Sequence, residues 1–181
     1  MAAFIYVCGP SGAGKDSVIA RARERLEGHP SFAFAQRLMT RPAEPGSHHR
    51  SVSPAEFAAL EAAGGLCMSW AAHGFRYGVE RQALALVQSG RWVMVSGSRE
   101  HAPRACVDFP GTRIVVVRAS HDLLARRLRE RRRESAQALA EREARNLLWP
   151  ELRGDLEVVN QGRLEDAVRI LTDGVLRWLA G

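Results

Sequence analysis

The sequence predicts an α/β fold in three layers, in which a parallel sheet of about five strands lies between helices. Short apolar segments alternate with amphipathic segments along the chain, an order that is typical of strands connected through helices. The first apolar segment also runs straight into a glycine-rich turn and then into a helix. We therefore expect a ligand at the carboxyl ends of the strands, where sheets of this class bind their ligands.

The first strand and its turn belong to the segment FIYVCGPSGAGKDSVIA, residues 4–20. Its centre matches the G-x-x-x-x-G-K pattern of a P-loop, whose backbone N–H groups surround a polyphosphate while glycines leave room for the anion. The helix that follows directs its positive end at the same phosphates. We therefore predict nucleotide contacts from Gly9, Pro10, Ser11, Gly12, Ala13, Gly14, Lys15, Asp16 and Ser17.

Lys15 supports this interpretation, because it is the only lysine among the 26 lysine and arginine residues of the sequence. P-loops use a compact ammonium at this position as a point charge on the outer phosphates, so Lys15 is predicted to be catalytic. A glycine-rich turn beside an unrelated lysine is the alternative. The strand before the turn and the helix after it argue against that alternative.

Asp16 departs from the pattern, which has Ser or Thr after the lysine as a ligand of Mg²⁺. The strands expected at 91–95 and 113–118 also end without the acidic residue that many P-loop enzymes use for this ion. We hypothesise that Asp16 is catalytic and supplies the missing carboxylate to Mg²⁺, directly or through water. Ser17 is then expected to cap the helix.

The remaining elements follow from hydrophobic periodicity and from the positions of glycine and proline. We predict helices at Asp16–Glu27, Ser53–Ala63, Glu80–Ser89, His121–Arg133, Ser135–Leu148 and from Leu164 onward, strands at Ser31–Met39, Arg91–Val95, Arg113–Arg118 and Leu156–Val159, and a hairpin at Leu66–Val79. Together they form one domain, 1–181, with a core of 1–39 and 80–181, an inserted substrate-binding region of about 40–79 and an arginine-rich lid of about 126–145.

Polar residues beside the strand ends are candidates for binding a second substrate. Thr40 and Arg41 follow a strand and precede a proline, and Ser98 and Arg99 follow the strand at 91–95. Charged loop residues at this edge of a parallel sheet face the expected cleft. Surface charge is the alternative for the two arginines.

The hairpin and the lid contribute further candidates. His73 and Tyr77 lie in the glycine-marked hairpin, where either packing or substrate contact would explain them. Arg131 and Arg142 border the junction between two lid helices and are predicted to be catalytic, because guanidinium groups bind a transferring phosphate through two nitrogens. Arginines that alternate with leucines on a solvated helix face are the alternative.

Composition limits the class of protein and the kind of partner. A formal charge of +6 and a pI near 10.2 favour an anionic partner, either a nucleic acid or a small polyphosphate. The three cysteines lack C-x-x-C spacing, so we expect neither a disulfide framework nor a zinc site, and a cytoplasmic location. We expect no signal peptide, membrane span or nucleic-acid partner; the oligomeric state stays open, with a homodimer among the alternatives.

The motifs together resemble a known family. GPSGAGKDSVI resembles the P-loop of the guanylate kinase superfamily, and Asp16 resembles that of one branch, the ribose 1,5-bisphosphate phosphokinases of bacterial phosphonate degradation. The resemblance covers nearly the whole chain. It includes M-T-R-P at 39–42, S-V-S-P-A-E-F at 51–57, S-W-x-x-H-G-x-x-Y-G-V at 69–79, G-S-R at 97–99, R-L-x-x-R at 127–131 and the turn at Asn160.

The resemblance implies a fold like that of P-loop nucleoside monophosphate kinases, with ATP and Mg²⁺ as cofactors and an ATP contact from Asn160. It implies phosphorylation of ribose 1,5-bisphosphate on its 1-phosphate, which gives 5-phospho-α-D-ribose 1-diphosphate (PRPP) and ADP. The implied setting is phosphonate catabolism and the supply of PRPP and NAD. Thr40, Arg41, His73, Tyr77, Ser98 and Arg99 are then the expected contacts of the phosphorylated sugar.

Two other functions stay open on the sequence alone. The first is a guanylate or other nucleoside monophosphate kinase, which shares the P-loop and the lid. Guanylate kinases have acidic residues where this chain has Ser96, Gly97 and Ser98, so the N–H groups of guanine would lack acceptors here. The second is a non-catalytic P-loop module that binds protein or RNA through its basic surface, and the intact Lys15 argues against it.

Overall fold

The structure is a computed structural model that describes residues 1–42, 48–130 and 152–181. The strands are β1 (Phe4–Cys8), β2 (Phe32–Phe34), β3 (Arg37–Met39), β4 (Arg50–Ser51), β5 (Leu66–Ala72), β6 (Phe75–Glu80), β7 (Trp92–Ser96), β8 (Arg113–Arg118) and β9 (Leu156–Val159). The helices of this part are α1 (Lys15–Leu26), α2 (Pro54–Ala62), α3 (Arg81–Gln88), α4 (Ala102–Asp108), α5 (His121–Glu130) and α6 (Leu164–Ala180). The predicted helix at Ser135–Leu148 and the catalytic candidates Arg131 and Arg142 lie outside the described residues.

A parallel sheet of five strands forms the centre of the fold, in the order β2-β7-β1-β8-β9. The pairing of Val7 with Ser96 and of Cys8 with Val116 brings the ends of β7 and β8 level with the start of the P-loop. This confirms the predicted sheet. It also shows why polar residues after different strands can meet at one edge.

Alternate residues of β1 face opposite layers, as the pleat of a strand requires. Ile5 and Val7 pack with buried side chains of α1 and α6, whereas Phe4, Tyr6 and Cys8 belong to a second cluster that includes Ala83 of α3 and Ala102 of α4. All five β1 side chains are buried. Helices therefore cover both faces, as predicted for three layers.

A second, smaller sheet has the order β4-β3-β6-β5. Its β5–β6 hairpin confirms the predicted hairpin. The single strand predicted at Ser31–Met39 is wrong, because the chain leaves the central sheet after Ala35 donates to the Met94 carbonyl (2.9 Å) and enters the second sheet at Arg37, opposite Val79. The run looked continuous in the sequence because both halves are apolar.

Two helix starts illustrate what local sequence does and does not reveal. The capping box before α2 is as predicted, with Ser53 accepting from the Glu56 N–H and Glu56 accepting from the Ser53 N–H. By contrast, α4 was not predicted, because seven residues with a proline in the first turn give little periodicity. No helix among the described residues is long and apolar enough to cross a membrane.

Candidate active site at the P-loop

A cleft lies between the P-loop, the second sheet and the segment after β7. Its lining residues are Gly9, Ser11, Gly12, Gly14, Lys15, Asp16, Arg37, Met39, Arg41, Trp70, Ala72, His73, Tyr77, Gly97, Ser98, Arg99 and Glu100. The lining carries four cationic side chains against two carboxylates. This charge favours an anionic ligand.

Glycines shape the P-loop at the positions where other side chains would not fit. Gly12 and Gly14 have φ values of 88° and 81°, in the left-handed region that glycine tolerates. A Cβ on Gly14 would also lie 2.5 Å from Nδ2 of Asn160. The loop therefore depends on glycine for its backbone conformation and for its close approach to the neighbouring chain.

The expectation that Ser17 caps the first helix is wrong. The N-cap of α1 is Gly14, which makes no side-chain cap, and Ser17 lies within the helix. The first N–H groups of α1 are thus left without a side-chain acceptor at the loop. An anion bound in the loop could occupy that place, as in other helix N-termini that bind phosphate.

Lys15 extends into the loop, where its ammonium donates to the carbonyls of Gly9 (3.0 Å) and Pro10 (3.4 Å). Burial lowers the pKa of Lys15, and neighbouring Arg37 and Arg99 lower it further against the opposing effect of Asp16. A phosphate anion beside this ammonium would stabilise its charge. Two backbone carbonyls are neutral partners that such an anion can replace.

Asp16 lies in a small polar cluster with the end of β7 and with β3. Its Oδ1 accepts from the Ser96 hydroxyl (3.3 Å) and lies 3.7 Å from Nη2 of Arg37. The surroundings of the carboxylate reduce its hydration, which would raise its pKa, but Arg37 and Lys15 outweigh this and the pKa of Asp16 is lowered. Asp16 is therefore an anion at neutral pH.

The donor atoms at this point suit Mg²⁺. The Asp16 carboxylate lines the cleft beside the loop that would hold the phosphates, and the Ser96 hydroxyl lies next to it; both are hard oxygen donors. The described residues contain no group of three or more His, Cys, Asp or Glu that could hold a metal. A single carboxylate agrees with the way Mg²⁺ binds in phosphoryl-transfer sites, mainly through substrate phosphates and water.

The β5–β6 hairpin forms the opposite wall. His73, at its tip, has φ of 53°, an uncommon value for a residue with a side chain, and both His73 and Tyr77 line the cleft. Tyr77 stacks on Trp70, with ring centroids 5.7 Å apart, and Trp70 stacks in turn on His101 at 5.0 Å. This row of rings links the hairpin to the segment after β7.

The segment Gly97–Arg99 packs against the side chain of Tyr6 in β1 and is hydrogen-bonded to it. The Tyr6 hydroxyl accepts from the Ser98 N–H (3.1 Å) and lies 3.0 Å from Nδ1 of His101. A Cβ on Gly97 would overlap the Tyr6 ring, so only glycine allows this approach. Ser98 and Arg99 consequently line the cleft, and burial lowers the pKa of the Arg99 guanidinium.

Some predicted site residues lie beside the cleft and not in its lining. Pro10, Ala13 and Ser17 belong to the loop and helix without lining it, and the Thr40 hydroxyl accepts from the Arg76 N–H (2.9 Å). The amide of Asn160, which is 3% exposed, donates to the Ala13 carbonyl at 2.8 Å. Asn160 thus supports the P-loop from behind.

Sequence reasoning gave no role in the site to Arg37 or Trp70, which line the cleft, or to His101, which stacks on Trp70. Arg37 was treated as part of an apolar strand, although a guanidinium within a buried strand is itself a signal of an ion pair or a ligand. Trp70 lies inside the predicted hairpin and the motif at 69–79, but it was given no role of its own. His101 carried no signal, since it lies in the helix region that was not predicted.

Curated relatives identify the family. The chain is 41% identical over 169 residues to ribose 1,5-bisphosphate phosphokinase PhnN of Burkholderia mallei, which spans 92% of this chain and 91% of the relative. It is 38% identical over 181 residues to the protein of the same name from Agrobacterium fabrum, covering 98% and 97% of the two chains. The chain belongs to the ribose 1,5-bisphosphate phosphokinase family. This confirms the resemblance drawn from the P-loop, hairpin and G-S-R motifs.

A solved structure confirms the fold. Guanylate kinase from Anaplasma phagocytophilum superposes with a TM-score of 0.68 at 17% identity, covering 97% of this chain and 86% of that one. No protein-family model matches the chain. This member of the ribose 1,5-bisphosphate phosphokinase family therefore has a guanylate kinase-like fold.

Proposed function

We propose that this protein transfers the γ-phosphoryl group of ATP to the 1-phosphate of ribose 1,5-bisphosphate, forming PRPP and ADP. The observation that carries the proposal is sequence identity of 40–41%, over 92–93% of the chain, to relatives named for this activity. A cleft with a P-loop on one side and arginines on the other supports it. The reaction belongs to phosphonate catabolism and to the supply of PRPP and NAD.

The P-loop side is proposed to bind ATP. Backbone N–H groups of Gly12, Gly14 and Lys15 and the N-terminus of α1 would surround the β- and γ-phosphates, and the Lys15 ammonium would exchange its carbonyl partners for phosphate oxygens. Asn160 would contribute to ATP binding indirectly, because its hydrogen bond to the Ala13 carbonyl fixes the position of the P-loop. Asp16 and Ser96 would hold Mg²⁺, which supplies charge neutralisation for the transferred group when it is bound.

The side formed by the second sheet and the segment after β7 is proposed to bind the sugar phosphate. Arg41 and Arg99 supply cations, and Ser98, His73 and Tyr77 supply hydrogen-bonding groups around the same space. Thr40 supports this wall through its hydrogen bond to the backbone of β6. Arg131 and Arg142, outside the described residues, are proposed to contact the transferring phosphate.

A guanylate kinase is the second candidate, and the fold is the observation that favours it. A guanine base offers N–H groups that need acceptors. In the described cleft the carboxylates are Asp16 and Glu100, and Asp16 already faces Arg37 and Ser96. The four cationic side chains of the lining favour phosphate groups over an uncharged base.

A coupled assay of ADP release tests the proposal. Purified protein is given MgATP with ribose 1,5-bisphosphate, GMP or ribose 5-phosphate, and the products are identified by phosphorus NMR. Turnover with ribose 1,5-bisphosphate and a diphosphate product is expected. Turnover with GMP and none with ribose 1,5-bisphosphate would overturn the proposal, and no affinity for MgATP would favour a non-catalytic module.

The cell compartment and the assembly stay proposals as well. All three cysteines are free thiols in the described structure, which fits a reducing cytoplasm. A homodimer stays a prediction. Sedimentation of the purified protein across a range of concentrations would test it.

A further inference from the structure

Among the cationic side chains that line the described cleft, Arg37 is the one to which the proposed function assigns no role. It lies within β3, opposite Val79 of β6, so a strand ladder fixes its backbone. Arg41 and Arg99, in contrast, follow the ends of strands. The Arg37 side chain is only 13% exposed and nevertheless lines the cleft.

The contacts of Arg37 place its guanidinium where the two sides of the cleft meet. Nη1 donates to the Ser96 hydroxyl at 3.2 Å, and Nη2 lies 3.7 Å from Oδ1 of Asp16 at the P-loop. On the other side, the guanidinium carbon lies 5.4 Å from the ring centroid of Tyr77. Arg37 therefore contacts both the nucleotide side of the cleft, formed by the P-loop, and the acceptor side, formed by the second sheet and the segment after β7.

These contacts leave part of the guanidinium's hydrogen-bonding capacity unused. A charge-assisted N–H to carboxylate hydrogen bond is about 2.7–2.9 Å long, so the ion pair with Asp16 is loose. Nε of Arg37 is buried and has no hydrogen-bond partner among the described residues. A buried guanidinium held by one hydroxyl and one distant carboxylate is costly unless an anion completes its shell.

Phosphoryl transfer from one phosphate to another brings two anions together. In the reaction proposed above, an oxygen of the acceptor phosphate forms a bond to the γ-phosphorus, while the bond from that phosphorus to the β–γ bridging oxygen breaks and ADP leaves with the electron pair. The dianionic acceptor phosphate has no proton to lose. A cation between attacking and transferred groups lowers their repulsion.

We propose that Arg37 contacts the 1-phosphate of the acceptor, the group that attacks, and is thus a catalytic residue; this inference rests on the proposed function. Its neighbours Asp16 and Ser96 place it beside the loop where the γ-phosphate would lie. Arg41 and Arg99 would then bind the 5-phosphate, at the other end of the sugar. Arg37 therefore distinguishes an acceptor with two phosphates from one that lacks the 1-phosphate.

The test compares two ligands that differ in this one group. Ribose 5-phosphate carries the 5-phosphate and no 1-phosphate, so its inhibition constant reports the remainder of the site. In Arg37→Gln we expect kcat/KM for ribose 1,5-bisphosphate to fall roughly 100-fold, with the KM for ATP and the inhibition constant of ribose 5-phosphate unchanged. Arg37→Lys keeps the charge and is expected to restore part of the loss.

Arg50→Gln is the matched control, because Arg50 lies in the same sheet and pairs with Glu80 away from the cleft lining. It is expected to leave all three constants unchanged. Thermal unfolding of each variant separates lost binding from lost fold. If Arg37→Gln does not fold, the same comparison is made with Arg37→Lys.

Each contrary result identifies what is wrong. An equal loss for ribose 5-phosphate would mean that Arg37 does not single out the 1-phosphate, and a rise in the KM for ATP alone would mean that it only positions Asp16. Unchanged constants in Arg37→Gln, with an active wild type, would overturn this inference and leave the proposed function intact. A wild type that converts GMP and not ribose 1,5-bisphosphate would overturn both.

Discussion

The two sides of the cleft are built differently. On the side proposed to bind the nucleotide, all lining residues come from one short segment between Gly9 and Asp16, which includes three glycines. On the acceptor side, single side chains come from β3, from the β5–β6 hairpin and from the segment after β7. A wall made of one short segment depends on local conformation, whereas a wall made of distant side chains depends on the packing of two sheets.

This difference predicts that damage to the nucleotide side affects turnover with every acceptor, while damage to the acceptor side changes the choice and affinity of the acceptor. Five substitutions, grouped in four predictions, test the comparison from the largest expected effect to the smallest.

Lys15→Ala is expected to lower kcat by about 1000-fold or more, because it removes the cation of the outer phosphates. Burial already lowers the pKa of Lys15, so its removal should not lower thermal stability. Steady-state kinetics and thermal unfolding check both statements. Arg25→Ala, on the same helix but paired with Glu165, is the control that should stay active. Wild-type turnover in folded Lys15→Ala would remove the P-loop from the mechanism.

Asp16→Ser is expected to raise the Mg²⁺ concentration for half-maximal activity roughly 10- to 100-fold, because a hydroxyl replaces the carboxylate. A titration of activity with Mg²⁺ at saturating ATP measures the shift. Glu24→Gln, an exposed change elsewhere on α1, is the control. Unchanged activity and unchanged Mg²⁺ dependence would show that Asp16 is not a ligand of the ion.

Arg41→Ala and Arg99→Ala should each raise the KM for ribose 1,5-bisphosphate about 10-fold and the KM for ATP much less, because a charge-assisted hydrogen bond to a phosphate is lost. Arg104→Ala removes an exposed arginine that pairs with Asp108 and serves as the control. An equal rise in both KM values would contradict the separation of the two sides.

Ser53→Ala should cost about 1 kcal/mol of unfolding free energy, because it removes the N-cap of α2. Both KM values should stay as in the wild type, since Ser53 does not line the cleft. Urea denaturation measures the loss of stability. A marked rise in the KM for ribose 1,5-bisphosphate would show that α2 contributes to the acceptor side.

The sequence predicted the strand, loop and helix of the P-loop correctly because all three are marked by local features. Glycine spacing, a preceding strand and a following helix are local features, and they placed the loop and Lys15 correctly. The central sheet was also predicted, because buried parallel strands such as β7 and β8 are short apolar runs between amphipathic helices.

On the acceptor side, position after a strand end marked Thr40, Arg41, Ser98 and Arg99, and the hairpin motif marked His73 and Tyr77. The resemblance pointed to His73, Tyr77 and Arg99, and the structure places all three in the lining. Arg37 was missed because its role depends on the chain changing sheets between Phe34 and Arg37, which no local pattern revealed. The helix cap on Ser17 was assumed from its residue type, whereas the loop geometry gives that position to Gly14.

The stacked position of Trp70 has a spectroscopic consequence. Trp92 and Trp178 stack on each other away from the cleft, so among the described tryptophans Trp70 is the one that lines it. Its indole stacks on the rings of both Tyr77 and His101. The emission of Trp70 should therefore respond when a sugar phosphate fills the acceptor side, which gives the native protein an internal optical reporter of acceptor binding.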